Sequence, residues 1–152
     1  MGLEQQIQDG IKAAMIAKDK VKLEALRAVK SEILLAKTAA GGAAKELADS
    51  DVVKLIQKLV KQHYESADLY KQNNRQDLAD NELAEAKHME GFLPKQLSAE
   101  ELEAELKKII AAVGATKISD LGKVMGTATK QLAGKAEGSA IVQAVKKLLS
   151  QL

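Results

Sequence analysis

Apolar residues recur at intervals of three and four along almost the whole of this 152-residue chain. Val and Ile follow that rhythm instead of the alternation of two that a half-buried strand requires. A three-to-four rhythm lines up one face of an α-helix and asks that face to be buried against another. With a single Pro, few helices are broken from within. With Tyr64, Tyr70 and Phe92 as the only aromatics, any core is built from Leu, Ile, Val, Ala and Met, side chains that permit close helix packing. The sequence predicts an all-α protein.

The rhythm divides into seven segments. Leu3, Ile7, Ile11 and Met15 form the buried face of a first helix over about residues 3–17, and Lys18-Asp19-Lys20 makes a polar corner. Asp19 is placed to accept an amide of the next helix, whose stripe is Leu23, Leu26, Val29, Ile33 and Leu34. The Gly41-Gly42 pair marks a loop over residues 38–44, because paired glycines raise the entropic cost of a helix and offer no side chain to pack. Ser50 is the predicted N-cap of a third helix reaching about Asn73, with Val53, Ile56, Val60, Tyr64 and Ala67 on one face. After the polar break at Asn73-Asn74, Leu78, Leu83, Ala86, Met89 and Leu93 define a fourth helix that ends before Pro94.

A boundary at Pro94 to Leu97 then separates an N-terminal helical domain, residues 1–94, from a C-terminal domain, residues 95–152. The first reads as antiparallel helical hairpins and the second as a small three-helix bundle. Ser98 and Glu101 have the spacing of a capping box at the head of the fifth helix, which carries Leu102, Leu106, Ile109, Ile110 and Val113 and stops at Gly114. Ser119 is the predicted start of a short sixth helix ended by Gly134. Ser139 is the predicted start of a seventh, with Ile141 or Val142, Val145, Leu148, Leu149 and Leu152 inward.

Charge is uneven along the chain. Residues 117–152 hold six Lys against Asp120 and Glu137, a net of +4, whereas residues 1–94 hold 14 Lys and Arg against 15 acids. A local basic excess favours polyanions. Gly122 and Gly126, one helical turn apart, either admit a neighbouring helix or leave backbone open to a ligand. The turn from Ala133 to Ser139 holds Gly134, suited to end one helix in left-handed geometry, and Gly138, which frees the chain to turn again. Lys135 projects from that corner near the amide-rich start of the last helix, two features that attract phosphate oxygens.

Other chemistry is not signalled. The chain has no Cys, which removes disulfides, thiolate zinc sites and cysteine nucleophiles and suits a reducing, cytoplasmic setting. His63 and His88 stand in different helices with no HExxH motif and no Cys/His cluster, and Glu82, Glu85 and Glu90 read as a solvated helix face. No phosphate-binding loop follows a strand. The first 18 residues include Glu4 and Asp9 and lack a long apolar run, so neither a signal peptide nor a membrane span is expected. The residues therefore call for no cofactor, no metal and no catalytic residue.

Four groups of residues bring a known family into view. Asp77-Leu78-Ala79 with Glu82, the junction from Phe92 to Ser98, Gly122-Lys123-Val124-Met125-Gly126, and Gly134-Lys135-Ala136-Glu137-Gly138 together closely resemble the YqeY-like proteins. These are related to the tail of the B subunit of the tRNA-dependent Asp/Glu amidotransferase (GatB/YqeY). The resemblance spans nearly the entire chain. It differs from the usual pattern at Lys135 and Glu137, where Arg and Asp are more familiar, and at Asn74, where Gly commonly precedes the Arg matched by Arg75. Lys keeps the charge but loses the bidentate fork of Arg.

In the amidotransferase the tail is a tRNA-binding appendage, and the catalytic regions are absent here. The resemblance implies a non-catalytic accessory module that contacts tRNA or another structured RNA, with Lys123, Lys130, Gly134, Lys135, Gly138 and Lys146 as candidate contacts. An alternative is an adaptor for a protein of the tRNA-aminoacylation machinery, using Tyr64, Tyr70, Arg75 and Phe92. A carbon–nitrogen ligase activity with glutamine as amide donor ranks third. Neither DNA nor a membrane is an expected partner.

Overall fold

The computed structural model describes residues 2–42 and 46–152, and every regular element among them is helical. In chain order these are α1 (Leu3–Ala17), α2 (Lys20–Ala39), α3 (Asp49–Gln72), α4 (Gln76–Glu90), α5 (Ala99–Val113), a 3-10 turn (Ile118–Asp120), α6 (Leu121–Gln131) and α7 (Gly138–Ser150). The chain divides into two compact units, one ending at Leu93 and the other starting at Pro94. No described helix is long and apolar enough to cross a membrane.

In the first unit α1 packs on α2, α3 on α4, and α2 touches both members of the second pair. The core is Ile7, Ile11, Ala25, Leu26, Val29, Ile33, Val52, Ile56, Val60, Ala86 and Met89. Ala25, Ala67, Ala79 and Ala86 are wholly buried, so the helices meet at alanines that let their backbones come close. Gly10 marks another such approach, because a Cβ there would stand 2.8 Å from Leu26 Cδ1. In the second unit α5, α6 and α7 each touch the other two around Leu106, Val124, Ala128 and Val145.

Several local expectations are corrected. On α1 the third buried position is Ala14, not Met15, which is 54% exposed, because a turn of 3.6 residues drifts off a strict four-residue spacing. Leu34 and Leu152 are likewise exposed. The N-cap of α3 is Ala48, not Ser50, and the Asp49 carboxylate instead accepts the Leu3 amide at 3.0 Å. Glu137, not Ser139, occupies the N-cap of α7, and Ser139 Oγ donates to the Glu137 carboxylate. Before α6, Ser119 lies inside the 3-10 turn, and Asp120 accepts the Thr116 and Lys117 amides, which hold its carboxyl below the usual range. The loop expected over residues 38–44 begins later, after Ala39; Gly41 has φ +94°, and positions 43–44 lie outside the described residues.

Other caps follow the sequence. Asp19 accepts the Lys22 amide at 3.2 Å, and Ser98 accepts the Glu101 amide at 3.1 Å. Asn74 adopts φ +58°, a left-handed conformation that Gly and Asn tolerate better than other residues. This explains physically why one of those two belongs ahead of Arg75.

A polar tie crosses the first unit. Lys37 of α2, with 8% of its side chain exposed, pairs with Glu4 of α1, whose second oxygen accepts the Leu47 amide at 3.3 Å. Removing the acid strands a buried ammonium, whereas removing the ammonium leaves a carboxylate that water and Leu47 still serve. Glu4→Ala is therefore expected to lower the unfolding free energy by about 2 kcal/mol and Lys37→Met by less than about 1 kcal/mol. Urea denaturation of both variants checks the order.

Candidate functional site

Two groups of side chains stand apart from the packing of the helices, one in each unit. In the second unit, Lys123 and Lys130 lie seven residues apart on α6 and are both exposed, on the side opposite buried Val124 and Ala128. Seven residues are two turns, so both ammonium groups leave the same face about 10 Å apart along the axis. Gly126 lies between them, and a Cβ at Gly122 or Gly126 would meet nothing within 4 Å. The glycines therefore do not admit a neighbouring helix. They leave the α6 backbone open between the lysines.

The corner after α6 is firmly built. Gly134 has φ +78° and is buried. Its carbonyl accepts Gln96 Nε2 at 2.6 Å, and the Lys135 carbonyl accepts the Leu97 amide at 2.9 Å. Lys135 itself is exposed. Gly138 has no positive φ and is the first residue of α7, one residue ahead of the start expected at Ser139. Glu137 is the N-cap residue of α7, and its side chain makes no capping hydrogen bond there but accepts Ser139 Oγ at 3.0 Å.

Lys123, Lys130, Lys135 and Lys146 are exposed, with the Asp120 carboxylate acting electrostatically on Lys123; Lys147 pairs with Glu103 of α5 at 2.9 Å. That pairing holds the Glu103 carboxyl below its usual range. An open groove of about 570 Å³ between α5 and α7 contains Glu103, Glu137 and Lys147 and so differs in charge from the α6 face.

The interaction-surface candidates of the first unit are largely engaged. Phe92 is partly buried and packs on the core, which removes it from the surface. Arg75 turns its fork onto Asp77, with Nε–Oδ1 and Nη2–Oδ2 distances of 3.2 and 3.1 Å. Tyr64 is 40% exposed, and its hydroxyl donates to Glu90; that bond, then burial, then repulsion by Glu90 push its ionisation up to about 12. Tyr70 is half-buried.

The second group was not anticipated. His63 of α3 faces Glu82 and Glu85 of α4, with Nδ1 hydrogen-bonded to Glu82 Oε2 and 3.6 Å from Glu85 Oε2. Exposure of the three side chains is only 16%, 21% and 13%, so these acids are not a solvated face. Burial raises the ionisation of Glu85; the His63 charge opposes that, and the carboxylates of Glu82 and of Glu24 on α2 reinforce it. One spacing in the sequence bears on this place: Glu82, Glu85 and His88 follow one another at steps of three along α4. The partner His63, however, comes from 19 residues upstream, and only the pairing of α3 with α4 reveals it.

With both sites in place, comparison with known proteins gives the family. The model described as Yqey-like protein matches residues 4–149. The chain belongs to this family. A curated relative, "Altered inheritance of mitochondria protein 41, mitochondrial" from Pyrenophora tritici-repentis (strain Pt-1C-BFP), is 28% identical over 139 residues, covering 90% of this chain and 75% of the relative. The Yqey-like family match takes in both the His63 cluster and the α6 face.

Because the carboxyl of Glu85 is raised, its ionisation costs stability as pH climbs through and beyond the ordinary carboxylate range, and the cost vanishes below that range. Glu85→Gln, which keeps the shape and removes the charge, is expected to raise the urea midpoint at pH 7 and leave it unchanged at pH 3.

Proposed function

We propose that the C-terminal unit of this Yqey-like protein binds structured RNA, with tRNA the foremost candidate, as a non-catalytic accessory module in a cytoplasmic setting. The observation that carries the reading is the α6 face, where the exposed Lys123 and Lys130 flank an open glycine backbone. Two cations about 10 Å apart on a rigid helix can each engage a phosphate without reading bases. Lys135, exposed at the corner held by Gln96 and Leu97, and Lys146, exposed on α7, are further candidate contacts in the same unit. The absence of aromatic residues from residues 95–152 favours folded RNA over stacked single strands. The resemblance to the amidotransferase tail points the same way.

The adaptor reading rests on one specific feature. Leu69 of α3 is 59% exposed beside Tyr70, so an apolar contact patch persists there although Phe92 and Arg75 are engaged. A partner from the aminoacylation machinery would seat on this surface and survive nuclease treatment.

Gel-shift titration with total tRNA at low and moderate salt separates the two. Binding is expected to weaken as salt rises, and the double variant Lys123→Glu/Lys130→Glu is expected to reduce the logarithmic salt slope by about 2. A charge reversal in the first unit, Lys71→Glu, is expected to leave binding unchanged. No association of the unaltered chain at either salt concentration removes the RNA reading.

A further inference from the structure

We propose that His63, Glu82 and Glu85 form a binding site for one divalent first-row transition-metal ion of the Zn²⁺ class. The geometry carries this. One imidazole nitrogen and one oxygen from each carboxylate all lie within 4.8 Å of one another. Zinc bonds to such atoms are about 2.0–2.2 Å long, which places tetrahedral ligands about 3.4 Å apart. Closing the widest spacing to that separation takes at most about 1.4 Å, within reach of side-chain rotation.

The scaffold is already rigid. The two acids leave α4 one turn apart, and His63 leaves α3, which packs on α4 through the buried Ala67, Ala79 and Ala86. Nδ1 is the atom turned to both carboxylates, the nitrogen through which the imidazole would ligate a cation held by the two acids. Partial burial shields the ligands from bulk solvent.

Charge and ligand chemistry narrow the occupant. Glu82 and Glu85 both pair with His63, while Glu24 adds a further negative charge from α2. Two carboxylates facing one imidazole thus retain a negative balance that a dication neutralises. The imidazole selects against Mg²⁺ and Ca²⁺, which favour all-oxygen shells, and suits Zn²⁺, Co²⁺ and their neighbours. It also distinguishes this cluster from the acidic patches common on helical proteins.

The test uses the full chain, stripped of metal by a chelator, titrated with Co²⁺ by visible absorption and with Zn²⁺ by calorimetry. The expected result is one ion per chain, not displaced by excess Mg²⁺. His63→Gln and Glu85→Gln are each expected to weaken binding at least about tenfold, and His88→Gln to leave it unchanged. Should the His63 variant fail to fold, the imidazole NMR signals of the unaltered protein decide: Zn²⁺ must shift Nδ1 of His63 and spare His88. A chain that takes up no Co²⁺, binding indifferent to His63→Gln, or binding lost with His88→Gln overturns the proposal. The variants of the α6 face, Lys123→Glu/Lys130→Glu, are expected to bind metal normally, so the outcome is independent of RNA.

Discussion

Close approach of helices through small side chains is the constraint on which both units depend. With three aromatics in 152 residues, large rings cannot fill wide gaps between helices. Alanines therefore stand wholly buried in both cores, at Ala25, Ala67, Ala79 and Ala86 in one and Ala128 in the other. Short distances between backbones bring polar side chains at the margins of these interfaces into contact. The meeting of His63 with Glu82 and Glu85 and the pairing of Lys37 with Glu4 are both consequences of that closeness.

The same economy of packing governs α6. Its inward face is satisfied by Val124, Ala128 and the neighbouring Leu132, which leaves the outward face free to carry Lys123, Gly126 and Lys130 without structural duty. The buried corner at Gly134 fixes where α6 ends, and its carbonyl is held by Gln96 from the start of the same unit. A lysine pair on a short helix anchored in this way keeps its spacing, which is what a phosphate backbone requires. Membership of the Yqey-like family adds that this arrangement belongs to a chain matched from residue 4 to residue 149, and not to an isolated tail.

Much of this was legible in the sequence because it depends on neighbours. Helix type follows from periodicity, and Asp19 and Ser98 cap because their acceptors lie three residues from the donors they serve. What resisted reading depends on distant partners. Ser50 looks like a cap by local chemistry, but Asp49 is drawn to Leu3, 46 residues away, and the helix begins earlier. Met15 fits a four-residue spacing that the helix does not keep, so Ala14 takes the core position. Phe92 has the composition of a contact residue and the position of a core one. For the His63 cluster, half the signal was local, in the three-residue step from Glu82 to Glu85. The other half needed the register between α3 and α4, which no single-helix pattern contains.

The central claim is that the glycine-flanked lysine face of α6 is where this protein meets its polyanion. Backbone amide NMR of the isotope-labelled full chain, recorded with increasing tRNA, tests it most directly. The account predicts shift changes gathered at Gly122, Lys123, Gly126, Thr127 and Lys130 and at the Lys135 corner, fading as salt is added. Changes confined to residues before Leu93, or spectra that tRNA leaves untouched at low salt, would contradict it.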